Sequence, residues 1–352
     1  MTAFAAAVRA AAPLAGLRGA ARAILEVQTA EGAIPWFDDG PWDAWNHGEC
    51  LMALAVMGEM EAVASGFTYL AATQEASGAW LCGYGNALPM DGRDRIARIA
   101  APKVRDTNFA AYPATALWHH ARLSGDLAAA RRWWPMARAG LDFAVACQHG
   151  EGDISWCGEA HGGPDDDAVL AGCASIHASL GCGLRLAEAI GDPQPAWQVA
   201  QRRLGAALLA RPERFDRRGA DRSGFAMDWY YPVLAGALGA GEGAGRIDRD
   251  WSRFVEAGRG CRCVDSEPWA TVAESAELAM ALVRLGRRRE AADLLDWQDA
   301  HRDADGAWWM GWQFAEAIPW PLEKPAWTQA AMILARDALH DLSPASLVLC
   351  GD

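Results

Sequence analysis

No apolar run in this chain is long enough to span a membrane as a helix. The alanine-rich start is interrupted by Arg9, Arg18 and Arg22 and has no apolar core leading to a cleavage site, so it reads as a first helix rather than a leader. Positive charge is short as well. Lysine and arginine number 32 against 45 aspartates and glutamates, a formal net charge of −13. That balance argues against nucleic acid and anionic membrane surfaces, both of which select basic patches, and leaves a neutral small molecule such as a sugar open. Metal-ligand spacing is missing: Cys261-Arg262-Cys263 has no matching second pair, and no His-x-x-x-His accompanies His47 or His177. Nine cysteines are an odd number, and several, such as Cys50 and Cys182, lie in apolar helical patterns as buried thiols do. The expectations are a reducing cytoplasm, no structural metal and no cofactor. Alternating strand runs of useful length are also absent.

What is present is helical periodicity over 352 residues, with 52% hydrophobic residues to bury. Six segments share one design, a loop rich in Trp, Gly, Asp or Glu followed by a strongly apolar helix. They begin near Asp43, Asn108, Ser175, Asp228, Glu274 and Trp327, and five of the six run into a glycine stop. Amphipathic helices with charged faces lie between them, as in the stretch carrying Arg131, Arg132 and Arg138. The repeat spacing of about 45 to 70 residues is too long for short solenoid units. Outer helix, loop and inner helix, six times over, predict a closed ring of helical hairpins, an all-α (α/α)6 toroid in one domain over residues 1–352. The loops would gather at the inner-helix N-termini, and that face is the predicted site.

Tyr69-Leu70-x3-Gln74-x3-Gly78-x-Trp80 resembles the glutamine–tryptophan repeat of squalene cyclases and related terpenoid cyclases and prenyltransferases. Weaker copies stand at Gln28–Gly32, Gln148–Gly152–Trp156 and Gln298–Gly306–Trp308. The resemblance implies a structural motif in which Gln ends one helix, Gly makes the turn and Trp packs under the next loop. Six-hairpin glycosidases share the architecture and often a similar turn.

Paired carboxylates are the chemistry glycoside hydrolysis needs, one protonated beside the leaving oxygen and one ionised across the ring. The helix order resembles the glucoamylase-like family, where the acid lies in the third loop and the base in the sixth. On that resemblance Glu159 is the acid and Glu323 or Glu316 the base. Arg105-Asp106 falls in the second loop here, not the first as in that family, so substrate contacts do not carry over. Asp228 and Glu274 stand at inner-helix starts, where a carboxylate suits sugar binding, acid–base work or a plain helix cap. Capping is the expectation for Asn108.

Tryptophan is the second signal. Of 18, about two thirds fall in the loops or at inner-helix starts. The expected substrate-binding set is Trp36, Trp42, Asp43, Trp45, Arg105, Asp106, Trp156, Trp229, Tyr230, Trp308 and Trp312, facing a small-molecule or oligosaccharide substrate. Such rings stack on sugars, line terpenoid pockets or simply pack under loops. A terpenoid cyclase or prenyltransferase is the rival reading. Its Asp-x-Asp-Asp motif is missing, and Asp38-Asp39-Gly40-Pro41-Trp42-Asp43 only approaches Asp-Asp-x-x-Asp. A non-catalytic glycan-binding toroid is the third.

Overall fold

Six helices that are apolar on every side cannot be solvated, and they form the inner wall. In α2 (Ala44–Val56) every residue from His47 to Val56 is buried, and α11 (Val272–Arg284) and α13 (Ala326–His340) have comparable runs. The computed structural model describes residues 14–84, 104–159, 163–164, 166–216 and 221–351, with the side chains of Glu159, Gly163 and Pro164 excepted. The other inner helices are α4 (Thr107–Ala111) continued by α5 (Pro113–Ser124), then α7 (Leu170–Ile190) and α9 (Ala226–Leu234). Each packs on the next, and α13 packs on α2, so the ring closes as an (α/α)6 toroid.

The outer helices bury a single stripe each. They are α1 (Arg18–Val27), α3 (Met60–Thr73), α6 (Leu127–Ala146), α8 (Pro195–Ala210), α10 (Ala240–Phe254) and α12 (Arg288–Gln298). In α10 the stripe is Gly243, Ile247 and Phe254, and in α1 it is Ala20, Ala21 and Ile24. Helix α1 packs on α13 and α2, so the first outer helix completes the ring beside the last inner one.

Short links join inner to outer helices on one face, whereas long loops lead into the inner-helix N-termini on the other. These loops carry strands of only two or three residues, too short to leave an alternation in the sequence. One antiparallel sheet, β1 (Arg105–Asp106), β2 (Cys157–Glu159) and β3 (Gly163–Pro164), joins the second loop to the third. The other runs β4 (Val255–Glu256), β5 (Gly260–Arg262), β6 (Trp269–Thr271), β7 (Gly311–Gln313) and β8 (Ile318–Pro319), joining the fifth to the sixth.

The glutamine–glycine turns are staples between neighbouring outer helices. Gln28 donates from Nε2 to the Gly32 carbonyl in its own turn and to the Ala62 carbonyl on α3. Gln74 does the same to Gly78 and to Met136 on α6, and Gln148 to Gly152 and to Ala200 on α8. The glycines have φ of +101°, +90° and +103°, and a Cβ on them would lie 2.5, 2.2 and 2.5 Å from backbone oxygens of Ser65, Ala139 and Arg203. Both the left-handed backbone and the contact therefore demand glycine.

Two details differ from the sequence expectation. In the fourth copy Arg302, not Gln298, bonds the Gly306 carbonyl and reaches on to Gly16 beside α1. Gln298 instead donates to Arg259 and Leu294 carbonyls, because a short 3-10 turn (Asp299–His301) separates it from the glycine. In the third copy the buried position two residues after the glycine is Ile154, matching Ile34, Trp80 and Trp308 in the others. Trp156 stands two residues further on and is released from that packing role.

Candidate active site

The inner-helix N-termini open into a groove with two lobes. The first, of about 300 Å³, is lined by Asp106, Asn108, Trp156 and Arg222 with apolar walls from Ile154, Val169 and Ile176. The second, of about 330 Å³, is lined by Trp36, Asn46, Glu49, Glu274, Glu277, Met310 and Trp327. Trp45, Phe109 and Met227 belong to both and form the wall between them. Trp45 meets Phe109 and Tyr231 edge-on, and Trp36 meets Trp327 edge-on at 5.1 Å, so these rings brace one another.

Helix caps hold the acidic rim. Asp106 accepts the Asn108 and Phe109 N–H groups at 2.8 and 3.0 Å and is the cap of α4. The expectation that Asn108 caps this helix is thereby overturned. The residue just before the helix is geometrically able to reach those N–H groups, and Asn108 lies inside the first turn. Asp43 caps α2 through the Asn46 N–H and also accepts the Trp36 indole at 2.7 Å and the Asn46 amide at 2.6 Å. Burial raises the pKa of Asp43 despite those bonds, and pushes Asp106 up to about 7, with the Asp43 charge adding to the effect.

Glu49 and Glu277 lie deeper, one helical turn below the rim. Burial pushes Glu49 up to about 7 against hydrogen bonds from Trp45 and Tyr112, and pushes Glu277 well up, with the Glu49 charge as the second cause. The Tyr230 hydroxyl donates to Glu277. Glu274 stays partly exposed on the first turn of α11 and accepts the Thr271 hydroxyl. Helices α4–α5 and α11 are three places apart in the ring of six, so Asp106 and Glu274 face each other across its mouth.

Of the residues singled out in the sequence, Trp36, Trp45, Asp106, Trp156 and Glu274 line the groove. Asp43 sits beneath its rim. Asp228 is buried behind the first lobe, where it accepts the Ala171 N–H at 3.0 Å and Arg222 Nε at 3.1 Å and lines a separate cavity beside α10. Trp42 stacks on Tyr84 at 4.5 Å, Trp229 stacks on Phe254 at 4.9 Å, and Trp312 stacks on His301 at 5.3 Å. Trp308 is buried with its indole on the Gln298 carbonyl, and Arg105 pairs with Glu75. Glu316 is exposed at the hairpin tip between β7 and β8. Glu323 is buried, and its carbonyl accepts the Met310 N–H. Glu159 ends β2, and its side chain lies outside the described residues.

Sequence reasoning missed Glu49, Glu277 and Arg222. The first two left a signal, since a carboxylate inside an otherwise apolar helix seldom survives burial without a partner or a task.

The groove thus pairs aromatic walls with carboxyls on opposite sides of its mouth, the equipment of glycosidic cleavage. The comparisons agree: the chain is a glycosidase-like hydrolase of the (α/α)6 toroid class. No family model matches it. It is 40% identical over 334 residues to the MMP endo-(1,4)-3-O-methyl-alpha-D-mannosidase of Mycolicibacterium hassiacum, covering 95% of this chain and 89% of that protein. The chain belongs to the family of that mannosidase. Among solved structures, a glycosidase variant in complex with glucose shares the fold at TM-score 0.68 and 14% identity, over 97% of this chain and 100% of that one. A D-mannose isomerase shares it at TM-score 0.68 and 11% identity, over 97% and 99%. A fold common to a hydrolase and an isomerase leaves the chemistry to the site.

Proposed function

We propose that residues 1–352 form one toroid that hydrolyses internal α-1,4 bonds in mannose oligosaccharides bearing 3-O-methyl groups. The observation that carries this reading is the 40% identity with the mannosidase along nearly the whole of both chains. The groove supports it. Two lobes in line accommodate sugars on either side of a bond, and Trp45, Phe109 and Met227 at their junction are apolar surfaces for sugar faces and methyl groups.

In this reading Asp106 is the general acid, because its carboxyl is lifted to about 7 and keeps a proton near neutrality. Glu274, across the mouth, is the base. Asp43 is a positioning residue whose charge helps keep Asp106 protonated. Glu159 is the alternative acid, since β2 runs beside β1, with Cys157 opposite Asp106.

The test is product analysis with 3-O-methylated α-1,4-mannooligosaccharides. Asp106→Asn, Glu274→Gln, Glu159→Gln and Asp43→Asn are compared with the parent. Asp106→Asn and Glu274→Gln should each lose roughly a thousandfold in kcat, and Asp43→Asn less. Full activity in Asp106→Asn with loss in Glu159→Gln moves the acid to Glu159. Binding without cleavage by the parent favours the glycan-binding reading instead.

Among the described residues no helix is long and apolar enough to cross a membrane. All nine cysteines are free thiols, eight of them buried, which supports a proposed place in the reducing cytoplasm.

A further inference from the structure

Hydrogen-bond capacity is distributed unevenly along the groove. In the second lobe three polar donors are already committed: Trp45 to Glu49, Trp36 to Asp43 and the Asn46 amide to Asp43. The carboxylate that remains partly exposed there, Glu274, accepts and does not donate when ionised. A sugar oxygen facing it must bring its own hydrogen. A methyl ether has none, and would set two acceptors against each other.

The first lobe is different. Asn108 is 3% exposed and lines it, yet neither its amide nitrogen nor its amide oxygen has a hydrogen-bond partner among the described residues. Asp106 has taken over the capping that would otherwise occupy this side chain. A buried amide without partners has given up its bonds to water and gained none in return. Its position on the groove wall makes a ligand the partner that repays it. Around it stand Ile154, Val169, Ile176 and Met227, a wall fit for a methyl group, with Trp156 at the edge.

We propose that the first lobe is the subsite for a sugar carrying an O-methyl ether, with Asn108 as the specificity-determining residue. Its Nδ2 donates to the ether oxygen, its Oδ1 accepts from the adjacent hydroxyl, and the methyl group lies against the Ile154, Val169 and Ile176 wall. The second lobe takes a sugar whose hydroxyls are free to donate to Glu274. This assignment rests on the mannosidase reading for its substrate and adds to it which end of the groove reads methylation, and by what group.

The experiment uses a matched pair of α-1,4-mannooligosaccharides of equal length, with and without 3-O-methyl groups. Asn108→Asp keeps the shape and removes the donor. It also places a negative charge in the first turn of a helix, where folding tolerates it. Asn108→Ala removes both functions, and thermal melts confirm that both variants fold. In Asn108→Asp the ratio of kcat/KM for methylated over unmethylated substrate should fall about tenfold or more, carried by KM. Equal losses on both substrates, or no change on either, overturn the assignment.

Calorimetric titration of the same ligands gives a readout that needs no hydrolysis. The parent should prefer the methylated ligand, and Asn108→Asp should lose that preference. A parent that shows this pattern but cleaves neither ligand refutes the hydrolase reading and keeps the subsite. A parent that cleaves both ligands, with an Asn108→Asp variant whose preference is unchanged, does the reverse.

Discussion

The two lobes share a wall and little else. The first is built by the second, third and fourth hairpins, the second by the fifth, sixth and first, so each half of the ring supplies one. In the first lobe, acid is balanced by base, since Arg222 lines it beside Asp106 and holds Asp228 behind it. In the second, Glu49, Glu274 and Glu277 line one wall, and neutral tyrosine, tryptophan and threonine groups donate to them. Burial lifts Glu49 to about 7 and Glu277 well up, so the second lobe holds protons on its carboxyls where the first sets an arginine on its wall. On the roles proposed for Asp106 and Glu274, the leaving group lies over the first lobe and the cleaved sugar over the second.

The sharpest way to break this comparison is to disable both lobes at once. If Asp106 and Glu274 serve one bond, the double variant Asp106→Asn/Glu274→Gln should lose little beyond the roughly thousandfold of either single change, because groups acting as a unit are not additive. Multiplied losses in kcat would mean two independent roles. The shared wall comes next. Trp45→Ala should raise KM about tenfold or more, and Trp156→Ala, which touches one lobe, should raise it less. The reverse order would remove Trp45 from the junction.

Proton linkage separates the lobes more gently. Glu49 has its pKa raised by burial to about 7, so the stability it contributes is complete below its ordinary value of about 4.5 and is lost as the pH rises through 7. Thermal melts between pH 4.5 and 8 should show that decline. Glu49→Gln, which keeps an acceptor for Trp45 and Tyr112, should flatten it by an amount on the order of 3 kcal/mol. An equal decline in the variant refutes the linkage. At the small end, Glu316→Gln should leave kcat/KM within about twofold, as surface changes do. A large loss there would bring the β7–β8 hairpin tip into the site.

The ring was legible because its signal is long. A helix such as α2, apolar on every side over ten residues, can only be inner wall, and the Gln74–Gly78–Trp80 turn marked the junctions. The strands of two or three residues that join the loops were not legible, because register between distant loops leaves no local periodicity. The site was half legible. Asp106, Glu274, Trp36, Trp45 and Trp156 stand where the loops suggested, whereas Trp229 and Trp308 turned inward to satisfy their indoles on the Arg246 and Gln298 carbonyls. Asn108 was misread because two residues, Asp106 and Asn108, compete for one cap, and composition does not say which wins.

The closing staple between Arg302 and Gly16 joins residues 286 apart. A chain that leaves the ribosome from its N-terminus makes α1 before the other described helices of the ring, yet α13, against which α1 lies, follows all of them. The stripe of Ala20, Ala21 and Ile24 therefore meets α2 early but waits for α13 until the other ring helices have emerged. The five later hairpins can dock one after another as they emerge, and the circle is sealed only at the end. Synthesis order thus sets apart one seam, between α1 and α13, as the latest to form and, on a stalled chain, the one still open.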